Sequence, residues 1–271
     1  MVILKEYLKG KLSAKDVEKV PRAFDQVGSI AVFSEFPKLS KAKEKIIGDA
    51  VIALNKPIET VVKKTSDHEG KYRTKKVKVI AGKNSKITEH KEYGVRVRLD
   101  IEKCYFSPRL GSERLRIAQQ VKKGENVLVL FSGVGIYPLV IAKNASPAKV
   151  VGVEWNPVAH KFGLENIRLN KISNVELIKS DVAKFRSKEK FDRIVMMLPG
   201  GSEKYLKHIP NLIKPGGIVH FYDFQHEGEF DLAKDEVKKV FPKAKIIAIT
   251  KAGMYSPRKW RLCVDFKLFF N

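Results

Sequence analysis

The stretch GENVLVLFSGVGIYPLVIAKNASPAKVVGVE, residues 124–154, decides the fold. Residues 127–131 are a short apolar run rich in strand formers, Ser132-Gly133-Val134-Gly135 is a glycine turn, and residues 136–143 continue as an apolar helix. A second β-branched run, residues 149–153, ends in Glu154. Strand, tight turn, helix and strand make a βαβ unit, and a carboxylate just past its second strand can accept hydrogen bonds from both hydroxyls of a ribose. The unit therefore predicts a nucleoside-binding crevice. The dinucleotide fingerprint requires a third glycine where this chain has Pro138 or Leu139, which argues against a pyrophosphate seat. A single GVG with an acidic strand end suits S-adenosylmethionine, which has a ribose and an amino-acid tail but no phosphate. A nicotinamide or flavin cofactor, and a unit whose glycines serve packing alone, are the competing readings of these residues.

Working outward toward the C-terminus, Asn156-Pro157 opens a helix over residues 158–170, and residues 175–178 form a strand followed by Ser180-Asp181. An acid at that strand end can contact an adenine amino group. Residues 191–197 are a fourth strand ending in Leu198-Pro199-Gly200-Gly201, residues 202–213 a helix, 214–217 (KPGG) a turn and 218–222 a fifth strand. A helix over 232–240 and strands over 244–250 and 261–268 complete the pattern. Alternating strand and helix followed by two closing strands predict an α/β, Rossmann-like domain of the class I S-adenosylmethionine-dependent methyltransferase type.

Toward the N-terminus the pattern changes. Residues 3–8 and 14–20 read as helices, 28–33 as a strand and 41–54 as a helix with Ala42, Ile46, Ile47, Ala50 and Leu54 on one face. Three β-like runs follow at 59–64, 72–80 and 92–99. The expectation is a small α+β module with an antiparallel sheet over residues 1–95 and a catalytic domain over 96–271. The small module carries Lys63, Lys64, Lys71, Arg73, Lys75, Lys76, Lys78, Lys83 and Lys86, enough cations to track a phosphate backbone.

Composition agrees with a polyanionic partner. Lys and Arg number 53 against 30 Asp and Glu, a formal net charge of +23 in 271 residues. Such an imbalance costs self-repulsion, which a nucleic-acid partner relieves; a merely solvated, lysine-rich surface is the bland alternative. No apolar run approaches the roughly 20 residues needed to span a bilayer, so a soluble, cytoplasmic protein without a membrane partner is expected. Two cysteines, Cys104 and Cys263, with no CxxC and no histidine cluster, predict neither a disulfide framework nor a metal site.

Between the modules lies CYFSPRLGSERLRI, residues 104–117. Pro108 keeps Ser107 extended, and from about Ser112 the pattern turns helical, which places Glu113 in a first turn, where the helix dipole favours a carboxylate. With these residues in hand, the chain from about Tyr72 to Lys267 resembles the archaeal and eukaryal tRNA (guanine-37-N1)-methyltransferases. The resemblance rests on YRTKKVKVIAG, YFSPRLGSERLRIA, FSGVG, EWNP, the LP of MMLPGG, GGIVHFYDF and MYSPRKWRLCVDF. A near relative, the wybutosine enzyme that transfers an aminocarboxypropyl group, lacks the PRLxxER pattern present here.

The resemblance implies methyl transfer from S-adenosylmethionine to N1 of the guanosine next to the tRNA anticodon. N1 must lose a proton as the methyl arrives, so a positioned base helps by about 10²–10⁴-fold, and a cation stabilises the charge that builds on O6. It implies Glu113 as the base and Arg73 as the O6 partner. It implies cofactor contacts from Phe131, Gly133, Gly135, Glu154, Trp155, Asn156, Asp181, Val182, Leu198 and Pro199. Tyr105, Arg109, Met197, Gly200, Tyr255 and Arg258 are the implied substrate contacts, and the protein is expected to act as a monomer on the anticodon arm. Three departures stand out. Val129 occupies a place that is usually Asp, and Met197 replaces the Asn of Asn-Leu-Pro with a thioether that cannot both donate and accept. The resemblance also leads one to expect a chain without the domain with which full-length members touch the tRNA elbow, so that selection rests on the anticodon arm and on charge. Met197 keeps open a tricyclic wybutosine precursor as substrate, for methyl or aminocarboxypropyl transfer. With Val129 it also keeps open an RNA-binding relative without catalysis.

Overall fold

The computed structural model describes residues 2–67, 69–198 and 200–269. The chain forms two compact units, one of residues 1–91 with 96–108 and the other of residues 92–95 with 109–271. The sequence predicts one boundary at residue 95; instead the chain interleaves.

The first unit begins with α1 (Val2–Leu8) and α2 (Ala14–Lys19), the latter capped by Ser13, whose hydroxyl accepts from the Asp16 amide. A short hairpin, β1 (Asp25–Val27) and β2 (Ile30–Phe33), leads to α3 (Lys41–Leu54), then to β3 (Thr60–Lys64) and β4 (Val77–Gly82). The sheet order is β1-β2-β3-β4. Pairing is antiparallel at β1/β2 and β3/β4 but parallel at β2/β3, so the expected antiparallel sheet is in fact mixed. The reason is α3: a 14-residue helix between two neighbouring strands is a crossover, which returns the chain in the same direction. Leu4, Leu8, Val17, Phe33, Ile47, Val51 and Val61 fill the core between the helices and this sheet.

Two strand expectations shift here. The run expected at 72–80 begins as strand only at Val77, because residues 69–74 close a turn in which the Glu69 amide donates to the Thr74 carbonyl at 2.8 Å. The run expected at 92–99 is the second arm of a hairpin, β5 (Ile87–Glu92) and β6 (Val95–Asp100). Its two-residue turn, Tyr93-Gly94, has φ of 44° and 76°, the geometry that matches the twist of paired strands.

In the second unit α4 (Gly111–Gln120) follows a short 3-10 turn at Pro108–Leu110. Then come β7 (Asn126–Leu130), α5 (Ile136–Asn144), β8 (Lys149–Glu154), α6 (Pro157–Asn170), β9 (Val175–Lys179) and β10 (Phe191–Met196). The chain closes with β11 (Ile213–His226), α7 (Asp231–Val240), β12 (Lys245–Ser256) and β13 (Lys259–Lys267). The sheet order is β12-β13-β11-β10-β7-β8-β9, parallel from β9 to β11, with β13 antiparallel to β11 and β12 antiparallel to β13. This is the arrangement expected of class I methyltransferases. The order reverses between β7 and β10, and in open α/β sheets ligands bind beyond the carboxyl ends of the strands at such a switch point.

Two local expectations change. Residues 203–211, read as part of an α-helix, are a 3-10 helix that contains Pro210. The KPGG turn lies inside β11: the pairing with β10 slips there, while the Gly216 amide donates to the Leu268 carbonyl at 2.6 Å, so the extended chain continues. Among the described residues no helix is long and apolar enough to cross a membrane.

Candidate active site

The switch point is lined by the loop after β7, the loop after β10 and the end of β8. Phe131 has φ of 62°, rare for a residue with a side chain, and Gly133 and Gly135 have φ of 59° and 82°. Three left-handed residues in five turn the chain sharply from strand into α5, whose N-cap is Gly135. A Cβ on Gly135 would press to 3.2 Å from Leu177, a second reason for glycine there. Buried Asn166 on α6 donates to the Val134 carbonyl at 3.0 Å and fixes the loop from below. The Phe131 ring meets Tyr205 edge-on, 5.2 Å between centroids.

Glu154 faces this loop. Its Oε2 accepts from the Gly133 amide and its Oε1 from the Asn156 amide, both at 2.7 Å. Burial pushes the carboxyl upward, and the amides of Asn156, Gly133 and Trp155 pull it back. A carboxylate offers about four acceptor sites, so with three amides around it one remains for a ligand hydroxyl. Ser132 Oγ, in the same loop, is buried and without a hydrogen-bond partner, a second polar atom with bonding capacity to spare. These groups fit a ribose.

The other expected cofactor residues divide. Trp155 is exposed and Phe131, Asp181 and Leu198 are half-buried, whereas Val182 is buried in the apolar core. Asp181 Oδ1 accepts from the Ala183 amide at 3.0 Å. Asn156 is buried and caps α6, its Oδ1 accepting from the Val158 and Ala159 amides, and Pro157 takes the first helical position. Asn-Pro in EWNP thus has a structural task. Pro199 lies outside the described residues.

Among the expected substrate residues, Met197 is half-buried, and its amide donates to the Leu130 carbonyl at 3.2 Å. Gly200 follows with φ of 70°, and a Cβ there would touch the Phe224 ring at 3.3 Å. Tyr255, 54% exposed, packs on Phe224 with centroids 4.3 Å apart, and the Arg261 guanidinium lies 5.3 Å from the Phe224 centroid. Arg258 is exposed in the turn between β12 and β13, with φ of 59°. Arg109 is exposed on the 3-10 turn before α4. Phe224, which Gly200, Tyr255 and Arg261 share as a neighbour, was not among the residues expected from the sequence, where its FYDF segment lies far from Gly200 and Tyr255.

Arg73 and Tyr105 belong to the first unit. Arg73, half-buried, occupies the 69–74 turn with φ of 49°, and Tyr105 is half-buried in the segment after β6.

Glu113 is 4% exposed in the first turn of α4. Arg116 Nε donates to its Oε2 at 2.7 Å, Arg116 Nη2 to its Oε1 at 2.8 Å, and the Tyr222 hydroxyl also donates to Oε1. The third Arg116 nitrogen, Nη1, donates to Asp265 Oδ2 at 2.8 Å. Asp265 Oδ1 in turn accepts from His220 Nδ1 at 2.6 Å and from the Cys263 thiol at 3.1 Å. Arg193 Nη1 lies 2.8 Å from His220 Nε2; a guanidinium only donates, so Nε2 is the acceptor, Nδ1 carries the proton and the ring is neutral. Burial holds the His220 pKa below its ordinary value, which agrees. Burial would raise Asp265, but His220 and Arg116 outweigh it and hold the carboxyl well below the usual carboxylate range. His220, Cys263 and Asp265 bring ligand atoms within 4.8 Å of one another, yet guanidinium groups 2.8 Å from two of these residues make the trio a poor cation site.

Comparison with known proteins accounts for the arrangement. Residues 88–249 match the family model described as TRM5/TYW2 methyltransferase domain, and residues 4–85 match the TYW2 N-terminal domain. The tRNA (guanine(37)-N(1))-methyltransferase Trm5b of Pyrococcus abyssi is 36% identical over 256 residues, covering 93% of this chain and 76% of that protein. A structure of the complex of aTrm5 and tRNALeu superposes with a TM-score of 0.85 at 28% identity, over 98% of this chain and 78% of the other. Methanocaldococcus jannaschii TYW2 in complex with AdoMet superposes with a TM-score of 0.70 at 25% identity, over 90% of this chain and 99% of the other. A βαβ crevice built for a ribose, a sheet order reversing at that crevice and a match over both units lead to one assignment: the chain belongs to the TRM5/TYW2 methyltransferase family.

Proposed function

We propose that this protein methylates N1 of guanosine 37 in tRNA, with S-adenosylmethionine as methyl donor. The observation that carries the reading is the pairing, within one unit, of a ribose-ready Glu154 with a Glu113 that keeps one acceptor site. Three donors fill three of the roughly four lone-pair sites of Glu113, two on Oε1 and one on Oε2, and the remaining site on Oε2 suits the N1 proton.

Glu154 and Ser132 would hold the ribose, the 131–135 loop would approach the rest of the cofactor closely, and Asp181 would take the adenine amino group. S-adenosylmethionine, when bound, would supply an electrophilic methyl and leave as the neutral thioether. Glu113 accepts the N1 proton in the same step, so the product base is neutral and the carboxylate ends protonated. Arg73 is proposed to stabilise the charge on O6, with Tyr105, Arg109, Met197, Gly200, Tyr255 and Arg258 as substrate contacts. Such a substrate places the enzyme's work in the cytoplasm.

The test is incubation of the purified protein with labelled S-adenosylmethionine and a tRNA transcript bearing guanosine 37, followed by nucleoside mass spectrometry. The expected product is 1-methylguanosine, lost when guanosine 37 is replaced. Glu113→Gln should lower kcat about 10²–10⁴-fold with cofactor affinity retained. Turnover confined to a tRNA with a tricyclic base at that position would overturn the reading.

A further inference from the structure

Glu113 is held by an apparatus larger than an ordinary ion pair. A buried carboxylate facing only a bidentate arginine is largely neutralised and makes a poor proton acceptor. Here the same guanidinium is shared, with two nitrogens on Glu113 and the third on Asp265, both carboxylates being about 4% exposed. Asp265 is fixed from behind by His220 and Cys263, and His220 by Arg193, which also binds Glu125 at 2.8 Å and the Gln120 carbonyl at 2.7 Å. The chain of contacts therefore runs from α4 across β13, β11 and β10 and back to the end of α4.

We propose that Arg116, anchored by Asp265, is a positioning residue that aims the remaining acceptor site of Glu113 at the base and leaves the carboxylate its capacity to take a proton. The proposal rests on the functional reading above for what Glu113 does, but the clamp itself is a property of the unliganded protein.

Arg116 divides one positive charge between two carboxylates. The other groups around Glu113 in this unit add little charge. Tyr137 on α5, Tyr222 on β11 and Cys263 on β13 are all pushed up by burial and stay protonated. Arg114 on α4 is committed to Glu92, at 2.5 and 2.6 Å. Removing Asp265's carboxylate should therefore free Arg116 Nη1 and loosen the fork, and removing Arg116's guanidinium should leave Glu113 with the Tyr222 hydroxyl as its remaining donor of the three described.

The deciding experiment compares wild type, Arg116→Gln, Arg116→Lys and Asp265→Asn by two readouts. In the protein without cofactor, ¹⁵N NMR of the arginine side chains should show separate Arg116 guanidinium signals, held apart by the contacts to Glu113 and Asp265, that merge in Asp265→Asn. In turnover, Arg116→Gln should lose about 10–10³-fold in kcat with KM for tRNA changed less than about threefold. Arg116→Lys should recover part of that kcat, since it keeps the charge and loses the fork. Should Asp265→Asn not fold, the kcat of the Arg116 pair decides alone, Arg116→Lys keeping the charge at a side chain that is 24% exposed. Arg116 signals unchanged in Asp265→Asn, or full kcat in Arg116→Gln, overturns the clamp. Absence of 1-methylguanosine from wild type with the Arg116 signals merging as described overturns the functional reading and leaves the clamp standing.

Discussion

At the scale of single residues, the site combines groups with spare bonding capacity and groups with none. Glu154 has spare capacity: three backbone amides leave its carboxylate about one further acceptor site. Glu154→Gln replaces one acceptor oxygen with an amide that would face a backbone N–H, so it should lose nearly as much as Glu154→Ala. Both variants should weaken S-adenosylmethionine binding about 10–100-fold in calorimetry, the worth of one to two charged hydrogen bonds. Arg193 stands at the other extreme. It is fully buried, and its guanidinium serves Glu125, His220 and the Gln120 carbonyl at once. Arg193→Met would leave a carboxylate, an imidazole nitrogen and a carbonyl without their donor. The expected cost is about 3–5 kcal/mol, seen as a fall in Tm of about 10 °C.

At the scale of elements, β11 and β13 show what the sequence makes legible. Both were expected as strands, and the βαβ core from Asn126 to Asn170 falls within a residue or two of its predicted bounds, because period-two and period-3.6 patterns mark it directly. What the pattern left unread is that the two strands have opposite characters on their two faces. Val219, Phe221, Val264 and Phe266 face the apolar core, while His220 and Tyr222 face the polar network, paired in register with Asp265 and Cys263. An alternation of His and Tyr with Val and Phe looks like a strand half exposed to water, and only the burial of both faces turns it into a hydrogen-bonded layer. The same layer gives the unit a pH signature. Burial lowers the pKa of His220, so the unfolded chain binds a proton near pH 6.5 that the folded chain refuses. Stability from this group is present above that pH and is lost as pH falls, with a slope of at most about 1.4 kcal/mol per pH unit. Urea unfolding at about pH 7.5 and about pH 5.5 should show the loss, and His220→Gln should reduce the slope if it folds.

At the scale of the whole molecule, net charge was legible but its distribution was not. Of the nine cations expected to track phosphate in the first unit, five are engaged by carboxylates of that unit: Lys63 and Lys78 by Glu44, Lys64 by Asp67, Lys83 by Glu59 and Lys86 by Glu102. Sequence spacing could not show this, since Glu44 lies on α3 and reaches β3 and β4 only in the fold. The run KYRTKKVK, residues 71–78, has no acid in it and includes four cations besides Lys78, and Lys76 there is exposed. Lysines of these two kinds should answer RNA differently. Binding of tRNA should weaken at least about tenfold between about 50 and about 200 mM KCl, through release of counterions from the phosphates contacted. Lys76→Gln should make the log–log salt slope shallower by about 0.7–0.9, the value of one phosphate contact, with Tm unchanged. Lys63→Gln should leave the slope nearly unchanged and lower Tm, because Glu44, only 4% exposed, then faces a single lysine. Equal salt slopes for the two variants would mean that the carboxylates of this unit do not sort its lysines into structural and RNA-facing sets.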